Sequence, residues 1–140
     1  MIKKILILSI FIALSACGSK DFEAQKAHIA GYWEIKSVEM GDGSFKEFDV
    51  ATSVDYIEVS GDNGVRKKLM PKVDGTFTEF PTTERFQFSI AGDSLIMHYS
   101  TPFANWNETV LEASANRLVT LNKDGKRFEY ERFQQVALAE

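Results

Sequence analysis

Cysteine is almost missing from this chain of 140 residues. Cys17 is its one thiol, so no internal disulfide can staple the fold, and stability has to come from an apolar core. Histidine is nearly as scarce. His28 and His98 lie far apart and form no spacing such as His-Glu-x-x-His, which argues against a local zinc motif. Cationic excess is lacking too: 16 Lys and Arg face 20 Asp and Glu. Phosphate contacts need clustered cations, so nucleic acid is not an expected partner. No Gly-x-Ser-x-Gly elbow, P-loop, dinucleotide fingerprint or Cys-His pairing occurs, and nothing in the sequence points to an enzyme. A membrane-spanning run is absent as well. Ile5 to Leu14 is about half the roughly 20 apolar residues that a spanning helix needs.

What is present begins at the N-terminus, where 13 of the first 17 residues are apolar. Lys3 and Lys4 make a positive start, Ile5 to Leu14 an apolar middle, and Leu14-Ser15-Ala16-Cys17 a small-residue end. This pattern resembles the lipobox of bacterial lipoprotein signal peptides. The resemblance implies cleavage between Ala16 and Cys17, diacylglycerol on the Cys17 thiol, and acylation of the new amino group. More than one chain gives stable anchoring, since each buried CH₂ contributes about 0.8 kcal/mol. The covalent lipid is the only cofactor expected, and the membrane is a partner through it. Residue 18 is Gly rather than Asp, which among such lipoproteins favours the outer membrane of the cell envelope. The chain divides into a removed signal peptide (1–16), a lipidated cysteine with a tether that becomes a short helix (17–30), and one domain (31–140).

After Gly31 the sequence turns to short β-rich runs. Nine are expected: 32–40, 54–60, 65–70, 76–80, 85–91, 94–100, 104–112, 117–122 and 126–133. Turn residues separate them, including Gly61-Asp62-Asn63-Gly64, Asp74-Gly75, Gly92-Asp93 and Asp124-Gly125, and Pro71, Pro81 and Pro102 fall between the runs. Connections this short exclude crossover helices and leave an antiparallel meander. Phe86, Phe88 and Ile90 alternate with Arg85, Gln87 and Ser89, and Phe128 and Tyr130 alternate with Arg127, Glu129 and Glu131, so these strands have one apolar face. Closing such a sheet removes its edges. The predicted fold is all-β, a single antiparallel up-and-down barrel of about 8–10 strands preceded by a short helix.

Gly31-Tyr32-Trp33 opening the first strand, with Tyr130-Glu131-Arg132 in the last, resembles the lipocalins. That resemblance implies that Arg132 packs over Trp33 and closes one end of the barrel, a contact of about 0.5–2 kcal/mol for a guanidinium over an indole. It also implies a small apolar or amphipathic ligand as partner, carried in the barrel. Fatty-acid-binding-like and nitrobindin-like barrels are alternatives, the latter making His98 a haem-ligand candidate.

For such a ligand the candidate contacts are Trp106, Glu108, Phe86, Phe88 and Tyr130. Glu108 shares a strand face with Trp106 and Val110; if that face is inward, the carboxylate needs a cation such as Arg85 or Arg132. Glu79, Glu84 and Glu112 are expected to face solvent. Arg66-Lys67-Lys68 is read as a solvated face or a guard on an edge strand. The rival reading is a protein-interaction module, an envelope-complex subunit or inhibitor built on a packed barrel with no ligand.

Overall fold

Strands with one apolar face and short links can bury that face by curling until the first meets the last, and this chain does so. The computed structural model describes residues 21–49 and 52–134; the signal-peptide segment, Cys17 and the Gly18–Lys20 tether lie outside them. One helix, α1 (Phe22–Ile29), is followed among the described residues by nine strands: β1 (Gly31–Glu39), β2 (Phe45–Glu47), β3 (Val54–Ser60), β4 (Asn63–Pro71), β5 (Phe77–Ala91), β6 (Ser94–Ser100), β7 (Asn105–Ala113), β8 (Arg117–Asn122) and β9 (Arg127–Arg132). Every pairing is antiparallel and runs in sequence order from β3 to β9. The β1–β9 ladder, from Trp33 opposite Arg132 to Glu39 opposite Arg127, closes eight strands into a barrel. The short β2 lies outside the ring and pairs with residues 37–39 of β1.

Two expectations are corrected. The runs 76–80 and 85–91 are one long strand, β5, which passes through Pro81. Across the β4 ladder Lys67 faces Thr83 and Leu69 faces Glu79, so Pro81 sits in an irregularity where the register shifts. Residues 77–84 have no β6 partner, because that ladder begins at Arg85. A residue without an N–H is tolerated at such a bulged, half-unpaired place. The second concerns Ile90, which is 54% exposed. The β4 ladder stops at Gln87, opposite Asn63, so no β4 neighbour covers Ile90 although its β6 partner Leu95 is fully buried, and alternation alone does not report burial there.

The two ends of the barrel differ. At one end Asp21 caps α1, its carboxylate accepting from the Ala24 N–H at 3.1 Å. The helix packs against β3 and β7. Ile29 is fully buried in one apolar cluster with Trp33, Ile57, Phe86, Phe88, Leu95, Met97, Val110 and Leu118, and Phe22 packs on the margin of that cluster. Removing one such aliphatic side chain from water is worth about 1.5–3 kcal/mol. Lys26 Nζ donates to Asp62 of the β3–β4 turn at 2.9 Å and to Glu23 at 3.0 Å, and these bonds raise its pKa against a smaller cost of burial. The other end, bounded by the β4–β5, β6–β7 and β8–β9 turns, carries no helix among the described residues.

Candidate functional site

Closure of the helix end comes from one guanidinium. Arg132 lies 3.8 Å from the Trp33 ring centroid. Its Nη1 donates to the Ala30 carbonyl at 2.7 Å, Nη2 to that of His28 at 2.8 Å, and Nε to that of Ala115 at 3.0 Å. The first two are orphan acceptors at the end of α1, where a cation also meets the negative pole of the helix. Trp33 Nε1 donates to the Ile29 carbonyl at 2.8 Å, so the indole is held from both sides. Gly31 has φ +123°, and a Cβ there would collide with Arg132 Nη1. The Gly-x-Trp spacing therefore has a local physical cause: glycine makes room for the arginine that covers the tryptophan.

Toward the open end the lumen becomes polar. A cavity of about 350 Å³ is lined by Ile35, Trp106, Phe128 and Tyr130 and by the charged groups of Asp55, Arg66, Lys68, Glu84 and Glu108. Arg66 is its centre. Its Nη2 donates to Glu84 at 2.9 Å and its Nη1 to Glu108 at 3.3 Å, and its guanidinium lies 4.4 Å from the Tyr99 ring centroid. Tyr99 in turn stacks on Trp106, with centroids 5.0 Å apart and planes 6° from parallel. Lys68 approaches its cross-strand neighbour Asp55 at 3.6 Å.

The titration of these groups follows from burial. Desolvation raises the Glu108 carboxyl above its ordinary value, only partly opposed by Arg66 and the Tyr99 hydroxyl. Burial likewise pushes the Tyr99 and Tyr130 phenols up. For Arg66 burial works in the opposite direction, but Tyr99, Glu108, Tyr130 and Glu84 outweigh it, and the guanidinium stays charged.

Of the residues singled out from sequence, Trp106, Glu108 and Tyr130 meet at this cavity. Phe86 and Phe88 do not; they pack edge to face, 5.2 Å between centroids, in the apolar half beneath it. The cation beside Glu108 is neither Arg85, which is exposed, nor Arg132, which is at the opposite end. It is Arg66, from the basic run expected to be solvated. That expectation failed because strand alternation splits the run: the side chain of Arg66 is only 15% exposed, and Lys68 lines the same cavity. Glu84 is also corrected, being half-buried on Arg66 rather than solvent-facing. His98 is exposed on the outer wall, between Ser89 Oγ at 2.5 Å and Asn107 Oδ1 at 2.7 Å, so it is no axial ligand for a group held in the lumen. Gly64 is a further contributor that sequence reading missed. A Cβ there would occupy the space of the Phe86 ring, so this glycine lets the core close beneath Arg66.

A larger hollow, about 840 Å³, runs along the β1–β3–β4 wall beside Tyr32, Tyr56, Glu58 and Arg85. It is the more solvent-open of the two and lacks a buried charged group like Arg66. The lumenal cavity, with convergent polar groups on an apolar frame, is the better binding site.

Residues 29–120 match the family model of the lipocalin-like domain. A search of curated proteins returns no match. Among solved structures, a lipocalin-like protein from Bacteroides uniformis is 15% identical, with 76% of this chain and 99% of that chain covered at a TM-score of 0.48. A protein from Bacteroides eggerthii is 9% identical over 74% and 98% of the two chains, with a TM-score of 0.47. Apocrustacyanin C2 is 13% identical over 82% of this chain and 64% of its own, with a TM-score of 0.48.

Proposed function

Since the chain belongs to the lipocalin-like domain family, we propose that its barrel binds a small amphipathic molecule in the chamber at the open end, as a lipid-anchored protein of the bacterial envelope. The observation that carries the reading is the cavity of about 350 Å³ around Arg66, Glu108 and Trp106. Its size is that of a small-molecule site, and polar groups converge in it on an aromatic wall. Burying charge is costly, and the apolar layer beneath would close the barrel without it. The charged layer thus serves recognition rather than stability.

The lipobox pattern ending at Cys17 supports anchoring, with the outer membrane favoured by Gly18. Cys17 precedes Asp21 by four residues, so at about 3.3 Å per residue the lipid would lie within roughly 15 Å of the start of α1. The helix-closed end would then be the end nearer the bilayer.

Native mass spectrometry of the full chain, purified in mild detergent from gently disrupted envelopes, tests both parts. The expected result is a mature mass beginning at acylated Cys17, with a further mass that dissociates on denaturation. A bare, unoccupied mass that persists after incubation with envelope extract would overturn the binding role. A second reading, a protein-interaction module, is favoured by Val73 and Phe103, 83% and 96% exposed on turns at the open end. It would show as a co-purifying protein on an unoccupied barrel.

A further inference from the structure

The chamber's charges do not balance. Asp55, Glu84 and Glu108 bring three carboxylates to it, and Arg66 and Lys68 bring two cations. Lys68 answers Asp55 at 3.6 Å. Arg66 is left to serve two carboxylates from two strands, Glu84 at 2.9 Å on β5 and Glu108 at 3.3 Å on β7. A single guanidinium fills geometric needs on both sides but neutralises only one of them. Trp106 borders the same space, and an indole attracts a cation.

Volume sets the other limit. A chamber of about 350 Å³ is at the small end of the ~300–1,000 Å³ range of ligand pockets. Extension downward is blocked, because Phe86, Phe88, Leu95 and Met97 fill the barrel beneath. A long acyl chain has nowhere to go, and an anionic headgroup would add to the surplus negative charge. From this arrangement we propose that the chamber takes a compact cationic amine carrying a small planar body, its ammonium group set on the chamber side of the Glu84 and Glu108 carboxylates that share Arg66, and its body against Trp106.

This rests on the lumenal binding reading and names the class of molecule for it. Calorimetric titration of the full chain in nonionic detergent with 2-phenylethylamine, 2-phenylethanol and phenylacetate compares one frame carrying positive, zero and negative charge. The amine should bind at least tenfold more tightly than the other two. Glu84→Gln, at a half-buried position, should remove most of that preference. Lys68→Gln, at a half-exposed one, should enlarge it severalfold, and circular dichroism shows whether each variant keeps its fold. Equal or tighter binding of phenylacetate would overturn the amine class while leaving a lumenal site in place. Binding by none of the three would also overturn it, whereas failure of the lumenal reading itself appears as an unoccupied barrel in the mass measurement.

Discussion

The two ends of this barrel solve opposite problems with the same residue type. At the helix end Arg132 spends its donors on three backbone carbonyls and its face on Trp33, and it forms no ion pair with a carboxylate among the described residues. At the open end Arg66 is surrounded by carboxylates and phenols. The first arrangement ties the end of α1 and the β7–β8 turn to one guanidinium and covers Trp33, and so works as a structural closure. The second brings charges out of water only to hold one another, which is weak support for stability and a good basis for selecting a guest. An arginine's role here is set by whether it meets backbone or side-chain acceptors.

Changes at five positions would sharpen or break that contrast. The largest effect is expected at the closed end. Arg132→Ala should cost about 2–3 kcal/mol in urea unfolding, by freeing three carbonyls and uncovering Trp33. Arg132→Lys should recover little, since an ammonium cannot span the three acceptors. Gly31→Ala should be far less harmful in the Arg132→Ala background than alone, because the collision with Nη1 is then gone.

Next is Arg66→Met, which removes the hydrogen-bonded cation from Glu108 in a chamber open at one end and should cost about 2 kcal/mol. Adding Glu108→Leu should restore most of that loss while abolishing amine binding. If the double variant remained as unstable as the single one, the polar layer would be a structural element and the contrast would fail.

A smaller effect follows from titration. Burial raises the Glu108 carboxyl above 4.5, so the fold holds this proton more tightly than the unfolded chain does. The associated stability is complete below the unfolded value and is lost as pH rises through the folded one. Urea midpoints of the parent should therefore fall more steeply from pH 4.5 to neutrality than those of Glu108→Gln. The smallest effect is expected for Phe103→Ser, at a turn residue 96% exposed: less than about 0.5 kcal/mol in thermal unfolding.

Much of the fold was legible because alternation and turn chemistry are local. Phe86, Phe88, Phe128 and Tyr130 read as inward from their spacing alone, and the Trp33 and Arg132 positions read as a pair through a resemblance that the geometry now explains. The site was legible only by half. Trp106 and Glu108 declare themselves by sharing a face, but the cation that meets them comes from a distant strand. Three adjacent basic residues give no sign of which one turns inward until register places Gly64 opposite Phe86 and Arg66 opposite Glu84. The same dependence on pairing hid β2 and joined two runs across Pro81, since a strand without a partner on one side tolerates what a central strand does not.

The two indoles offer the most direct test, one at each end. In an amide-correlation NMR spectrum of the ¹⁵N-labelled chain, envelope extract followed by 2-phenylethylamine should shift the Trp106 indole signal and leave Trp33, bonded to the Ile29 carbonyl under Arg132, unmoved. A shift of Trp33 equal to that of Trp106, or no shift of either, would contradict a barrel built with one end for closure and the other for binding.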